Sequence, residues 1–167
     1  MSEAPIHVVP YDPSWADRFE AERVILEQVL FPWRRGPVEH VGSTAVVGLC
    51  AKPVIDIMVG VVSLDECEPA KQALTPLGYQ YAEYKTEVMR WFCKPSFAFR
   101  THHLHLVPFG SELWEQRLSF RDLLRSDRAV AQEYAALKQD LARKFEFDRE
   151  AYTDAKGPFI ARALGAG

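Results

Sequence analysis

The stretch HVGSTAVVGLCAKPVIDIMVGV, residues 40–61, decides the fold of this chain of 167 residues. Its second half, Pro53–Val61, is rich in β-branched residues and predicts a strand. Its first half begins as the end of another short strand, Val38–Val41, which runs into the turn Gly42-Ser43. The stretch therefore predicts two strands joined by a glycine turn and a loop, with one acid, Asp56, inside the second strand.

This arrangement has a chemical interpretation. A glycine followed by a hydroxyl residue, here Gly42 and Ser43, lets backbone N–H groups approach an anion such as phosphate. Asp56 lies between Ile55 and Ile57, which point to the opposite face of the strand. An aspartate there can hold a divalent cation beside the phosphate. The alternatives are an aspartate paired with a buried Arg or Lys, or one exposed at the strand end.

A second cluster lies in His103-Leu104-His105, within a predicted strand Thr101–Val107. Alternate residues of a strand share a face, so the two imidazoles lie together and His102 faces away. Two such histidines can present nitrogen ligands to zinc, manganese or iron. A solvated sheet face backed by packed leucines is the alternative.

A third pattern is basic: Arg117, Arg121, Arg125 and Arg128 follow one another at spacings of four, four and three. On one continuous helix they would form a stripe able to contact a polyphosphate or an acidic partner. The interleaved acids favour a salt-bridged, solvated face instead. A substrate role for Arg121 or Arg125 stays open.

The flanking elements follow from helix and strand signals. Apolar spacing predicts a helix over residues 13–30, after a short edge strand at His7–Val9. A capping box at Ser63 opens a second helix, which Gly78 ends. The aromatic segment Tyr79–Phe99 predicts two or three antiparallel strands.

The last third of the chain is predicted to be helical. Ser111 can cap a helix to about Arg125, and Ser126 can cap a longer one. Gly157-Pro158 interrupts before a last short helix. Central strands with helices at both ends predict an α+β sheet covered on one face, in a single domain spanning residues 1–167.

Composition limits the function. The formal net charge of -3 and pI near 6 argue against a nucleic-acid-binding protein. No membrane-spanning run or signal peptide is predicted, so we expect a cytoplasmic protein. Three scattered cysteines without CxxC spacing predict buried fillers rather than disulfides or a zinc ribbon. The oligomeric state is not predicted.

The run at residues 40–61 resembles the signature of the GrpB family, in which a Gly-Ser-Thr turn precedes Lys-Pro and an Ile-Asp-Ile strand. The resemblance extends over nearly the whole chain. Its other parts are YDPSWADRFEAE near the start, HHLHLVPFGSELWEQRLSFRDLLR, YAALK at Tyr134–Lys138, and AYTDAKGPFI at the end.

This resemblance implies a nucleotidyltransferase-like fold, a mixed or antiparallel sheet with helices packed on it. The superfamily binds magnesium and a nucleoside triphosphate through an Asp-x-Asp strand and a third carboxylate. GrpB-like domains also occur fused to dephospho-CoA kinase, which indicates nucleotide or coenzyme metabolism. This chain departs from the pattern, because Met58 stands at the second acid position and no clear third acid follows.

We therefore expect a metal-dependent nucleotidyl or phosphoryl transferase, or another nucleotide-processing enzyme, whose ligand is a nucleotide or coenzyme. Asp56 is the predicted catalytic residue, and Asp56, His103 and His105 are the predicted ligands of a divalent metal (Mg, Mn or Zn). The predicted nucleotide contacts are Gly42, Ser43, Lys52, Arg121 and Lys156. The alternative is a non-catalytic nucleotide- or coenzyme-binding regulatory module that has lost the second and third carboxylates.

Overall fold

A five-stranded mixed sheet forms the centre of the structure, a computed structural model that describes residues 4–165. Its strand order is β1-β2-β5-β4-β3, with β2 and β5 parallel and the other neighbours antiparallel. The strands are β1 (Arg34–Val41), β2 (Ile55–Val61), β3 (Gln80–Ala82), β4 (Arg90–Pro95) and β5 (Arg100–Pro108). The predicted α+β class with a mixed sheet is confirmed.

Six helices surround the sheet in the part of the chain that the structure describes. They are α1 (Ser14–Val29), α2 (Ala70–Leu74), α3 (Glu112–Ser126), α4 (Arg128–Lys144), α5 (Arg149–Ala155) and α6 (Gly157–Ala163). The predicted helical last third is therefore present. Within residues 4–165, no helix combines the length and the apolar character needed to cross a bilayer.

Helices cover both faces of the sheet, so the prediction of one covered face is wrong. On one face, α1 packs through Trp15 and Leu26 against the core that contains Ile57. On the other face, Trp114 of α3 packs in a separate cluster with Met58. The reason is that β2 is a central strand with buried residues on both of its faces, as expected beside a parallel neighbour.

The helix predicted over residues 13–30 is confirmed as α1, and the Asp12 carboxylate accepts a hydrogen bond of 2.9 Å from the Ser14 amide at its start. Ser111 caps α3 as predicted, through its bond to the Trp114 amide. The cap of α4 is Asp127 rather than Ser126. Ser126 is still the last residue of α3, and Asp127 is the first residue with extended backbone, so its carboxylate meets the free amides of α4.

Two further predictions are corrected. The edge strand at His7–Val9 is reduced to one antiparallel bridge between Val9 and Ala51, because Pro10 has no N–H to continue a ladder. Ser63 does accept a bond from the Glu66 amide, but the chain forms turns up to Pro69 before α2 begins. Proline fits the start of a helix better than its interior, which places the boundary there.

Candidate functional site

The parallel pairing of β2 with β5 brings the predicted metal ligands together. Its register sets Asp56 opposite His103 and Met58 opposite His105, so all four side chains lie on one face. The Asp56 Oδ1 atom is 3.1 Å from His103 Nδ1 and 3.6 Å from His105 Nε2. The three candidate ligand atoms all lie within 4.8 Å of one another, in a group that could hold a metal ion.

The pKa shifts of Asp56, His103 and His105 keep these groups in the protonation states that bind metals. Burial raises the pKa of Asp56, but hydrogen bonds from His103 and His105 outweigh this and hold that pKa well below its usual range. Burial lowers the pKa of His103, and burial together with the charge of Arg117 lowers the pKa of His105 to about 4. At neutral pH the cluster is therefore a carboxylate beside two neutral imidazoles, the forms in which these groups bind metals.

The donor set fits a transition metal. His103 Nε2 and His105 Nδ1, the ring nitrogens turned away from Asp56, have no hydrogen-bond partner among the described residues. Asp56 is thus the group that orients both rings. Two imidazole nitrogens and one carboxylate oxygen suit zinc, manganese or iron, whereas paired magnesium ions need more oxygen ligands than this face offers. Met58, fully buried beside the cluster, adds none.

The Gly42-Ser43 turn lies directly against this cluster. Gly42 has φ +73, and a β-carbon on it would lie 2.6 Å from Oδ2 of Asp56. A short 3-10 turn, Ser43–Ala45, follows. His40 holds the turn in place through two contacts. Its Nε2 atom is 2.9 Å from the Thr44 hydroxyl, and its ring stacks on Phe19. Glu39, the residue before His40 on β1, contacts Arg121 of α3 instead.

A cleft of about 1220 Å³ opens over the cluster, at or above the upper end of ordinary ligand pockets. Every residue predicted to contact the nucleotide or the metal lines it. Its basic side chains come from several elements: Lys52, Lys85, Arg100, Arg117, Arg121, Lys138, Arg149 and Lys156. Six acidic side chains also line it, those of Asp56, Glu83, Glu112, Glu115, Glu150 and Asp154, so the eight basic residues leave a formal excess of two positive charges in a chain of formal net charge -3.

Arg121 is tied to β1. Its Nη1 atom donates to Glu39 at 2.6 Å and to the His40 carbonyl at 3.2 Å, and its Nε atom contacts Asp122. Arg125 donates to the carbonyl of Ala45. The salt-bridged alternative for the arginine stripe therefore describes Arg121, whose nucleotide contact stays a prediction.

The sequence assigned no individual site role to two residues of the cleft, Lys138 and Tyr152, and it placed a third, Arg117, only within the arginine stripe. Arg117 lies one turn before Arg121 on α3, and its partly buried guanidinium contacts the Met89 sulfur at 3.9 Å. Lys138 lies four residues after Tyr134, on the face of α4 that the apolar stripe buries. A lysine on the apolar face of a helix was the signal that could have identified it.

Comparisons with known proteins identify the family of this chain. A sequence model of the family described as GrpB protein matches residues 5–165. The chain is 40% identical to a UPF0157 protein of Pseudomonas aeruginosa over 96% of this chain and 66% of that protein's length. It is 32% identical to the glutamate-rich protein GrpB of Alkalihalophilus pseudofirmus over 98% of this chain and 97% of the relative.

A dephospho-CoA kinase of Mycobacterium bovis is 30% identical over 98% of this chain, which spans 46% of that enzyme. Among solved structures, the crystal structure of GrpB from Enterococcus faecalis superposes with a TM-score of 0.84 at 33% identity, covering 96% of each chain. A chain of the GLD-2/RNP-8 complex superposes with a TM-score of 0.57 at 15% identity, covering 93% of this chain and 60% of that one, which shows a shared nucleotidyltransferase-like fold alone. The chain belongs to the GrpB family.

Proposed function

We propose that this chain is a metal-dependent enzyme that transfers a nucleotidyl or phosphoryl group, or otherwise processes a nucleotide or coenzyme. One observation carries the proposal: the cluster of Asp56, His103 and His105 lies against the Gly42 turn at the floor of a basic cleft. A metal site beside a glycine turn and cationic side chains is the set of parts that phosphoryl-type transfer uses.

Each part has a proposed role. The backbone at Gly42 and Ser43 and the ammonium of Lys52 would contact phosphate oxygens. Asp56, His103 and His105 would hold the divalent metal, which would supply neutralisation of the charge that develops on the phosphate. Asp56 orients both imidazoles through the contacts described above, so its loss would disturb the entire cluster. The donor set favours manganese, zinc or iron over magnesium.

The basic cleft also supports a small anionic ligand over a nucleic acid. The cations lie inside a concave site, while the chain as a whole is acidic. A nucleic acid would meet long-range repulsion from the remaining surface. We accordingly propose a nucleotide or coenzyme as the ligand of a cytoplasmic protein.

A second candidate function is a non-catalytic nucleotide- or coenzyme-binding module. The observation that favours it is Met58, which is 0% exposed and packs where the superfamily pattern has its second metal-binding acid. The chain's match to less than half of a dephospho-CoA kinase is compatible with a regulatory domain. This module would bind ligand without forming product.

The experiment crosses purified wild type, Asp56→Ala and His103→Ala with manganese, zinc and magnesium, each with and without nucleoside triphosphates and coenzyme A precursors. Thermal shift reports binding, since ligand at about 100 times its Kd adds roughly 2.7 kcal/mol of stability. Chromatography of the nucleotide reports turnover. Asp65→Ala, which removes an exposed carboxylate that does not line the cleft, is the matched control.

The enzyme proposal expects a metal-dependent shift and product in wild type and Asp65→Ala, and neither in Asp56→Ala. If the chain is a non-catalytic binding module, the ligand should cause a thermal shift and no product should form. Product formed by a folded Asp56→Ala protein would contradict the enzyme proposal. The absence of any metal-dependent shift in wild type would contradict the enzyme proposal, and the absence of any ligand-dependent shift, with or without metal, would contradict both.

A further inference from the structure

Arg117 of α3 lies beside the candidate metal cluster. Trp114 fixes the helix over this face of the sheet, because it packs with Met58 in one apolar cluster. Arg117 follows Trp114 by about one turn and lines the cleft. Burial and then the charge of Arg117 lower the pKa of His105, and burial lowers the pKa of Arg117 while the charge of Asp56 raises it. The guanidinium is therefore within electrostatic reach of the metal ligands.

Arg117 has no oxygen partner for its guanidinium among residues 4–165. Its contact there is with the sulfur of Met89, at 3.9 Å, and a thioether is a weak acceptor. No salt bridge between described residues includes Arg117. The other two arginines of α3 do have oxygen partners, since Arg121 donates to a carboxylate and a backbone carbonyl and Arg125 donates to a backbone carbonyl. On this helix, Arg117 is thus the arginine whose N–H donors are left for a ligand.

A metal ion in the cluster would leave positive charge without balance. Asp56 is the carboxylate of the cluster, and it is also the carboxylate found to stabilise the charge of Arg117. A divalent ion and the guanidinium together carry more positive charge than one carboxylate offsets, and the two imidazoles add none in their neutral form. Like charges repel strongly where burial reduces screening by water. An oxyanion between the ion and Arg117 would remove this excess and supply the oxygen acceptors that the guanidinium lacks.

We propose that Arg117 and the metal held by Asp56, His103 and His105 bind one oxyanion group of the substrate between them. The planar guanidinium donates to two oxygens of that group, as it does wherever arginine recognises a phosphate or a carboxylate. Arg117 is then a catalytic residue, because it contacts the group that reacts at the metal and offsets the charge that develops on it. The inference rests on the proposed function, because the metal site belongs to that function, and it adds the side chain that selects the reacting group.

The test measures two affinities of the full chain by isothermal titration. The first titration adds manganese or zinc alone, and the second adds orthophosphate or acetate to the protein with and without saturating metal. We expect anion binding that requires the metal, because neither the ion nor Arg117 holds the group by itself. Tighter binding of orthophosphate than of acetate would assign the site to a phosphoryl group, and the reverse order would assign it to a carboxylate.

Arg117→Met should change the two affinities in opposite directions. Loss of a positive charge near the ion should make metal binding several-fold tighter, whereas loss of the donors should weaken metal-dependent anion binding about tenfold or more. Arg117→Lys keeps the charge but not the planar fork, so it should bind metal as wild type does and bind the anion less tightly. Arg143→Met, which removes an exposed arginine that does not line the cleft, should match wild type in both affinities. Circular dichroism establishes that each variant is folded.

An arginine with a structural role alone would not give these opposite changes. If Arg117 served only to pack against Met89, Arg117→Met would weaken metal and anion binding together, and that result would overturn the inference. Wild-type anion affinity in Arg117→Met would overturn it as well, and so would anion binding of the same strength with and without metal. A wild-type protein that binds no metal would contradict the proposed function and the inference with it, whereas metal binding without any effect of Arg117→Met on the anion would contradict the inference alone.

Discussion

The backbone of Gly42 lies so close to the side chain of Asp56 that a β-carbon on the glycine would be 2.6 Å from the carboxylate oxygen Oδ2. Real β-carbons do not approach an oxygen this closely, so only glycine fits while Asp56 keeps its position. The turn that is proposed to receive phosphate and the acid that is proposed to hold metal are therefore packed as one unit.

Gly42→Ala should disrupt the packing of the turn against Asp56. The new methyl group must displace Asp56, and φ +73 adds a strain of about 1–3 kcal/mol for a non-glycine residue. We expect metal affinity to fall about tenfold or more, measured by calorimetry with manganese and zinc. Gly48→Ala is the matched control, because Gly48 has φ +84 but nothing within 4 Å of its β-carbon position. Equal metal affinity in the two variants would show that the contact with Asp56 is unimportant.

Thr44→Val should lower the free energy of unfolding. It removes the partner of His40 Nε2, which lies 2.9 Å from the Thr44 hydroxyl in a buried position. An unsatisfied buried group costs about 1–3 kcal/mol, to be read from urea unfolding at pH 7. Thr75→Val, on an exposed turn, should change the free energy of unfolding by no more than about 0.5 kcal/mol. A Thr44→Val protein as stable as Thr75→Val would contradict the role of this bond.

Met58→Asp should shift the metal preference. Met58 shares a face with Asp56 and lies opposite His105, so an acid there would add an oxygen ligand. A buried unpaired charge costs about 3–5 kcal/mol, and we expect the metal-free variant to be unstable. Manganese or magnesium should restore stability in a thermal melt, with a larger shift than in Met58→Leu. If neither ion stabilises Met58→Asp more than Met58→Leu, the two positions do not form one site.

Lys156→Met should make stability less dependent on pH. Lys52, Lys138 and Arg117 repel the charged form of Lys156, Asp56 attracts it, and burial dominates, so its pKa is about 7 against an ordinary 10.5. Between these values the unfolded chain binds more protons than the folded chain, so the free energy of unfolding of wild type rises with pH across this interval. Below pH 7 we expect Lys156→Met to be more stable than wild type by an amount on the order of 1–2 kcal/mol.

Urea unfolding of both proteins between pH 6 and pH 9 measures this difference, with Lys144→Met as the exposed control. Parallel pH profiles for wild type and Lys156→Met would contradict a lowered pKa of the partly buried Lys156.

Variants of the Glu39–Arg121 ion pair can distinguish a structural role of Arg121 from a nucleotide-binding role. The 2.6 Å contact predicts a coupling of about 0.5–2 kcal/mol in a double-mutant cycle of Glu39→Gln and Arg121→Met, measured by unfolding. If Arg121 also contacts nucleotide, Glu39→Gln should raise nucleotide affinity by freeing the guanidinium, and Arg121→Met should lower it. Unchanged affinity in both variants would leave Arg121 with the structural role alone.

Local signals in the sequence were sufficient for several elements. The β-branched run at Pro53–Val61 predicts β2, and apolar spacing over residues 13–30 predicts α1, because strand preference and helix periodicity depend on residues near in sequence. Where two capping residues are adjacent, as at Ser126 and Asp127, the local signal cannot choose, and the helix boundary depends on how far α3 continues. Chain composition likewise could not reveal that helices cover both faces of the sheet.

By itself, the sequence determined the fold family, the turn at Gly42 and the presence of an acid and two histidines on strand faces. The tertiary structure decided that these groups meet, because the parallel register of β2 and β5 sets Asp56 opposite His103 across 47 residues of chain. It also decided that Lys138, Lys156 and Tyr152 close the same cleft. Periodicity reports which face of its own element a residue occupies, whereas contacts between distant elements depend on strand pairing and helix packing, which no local pattern encodes.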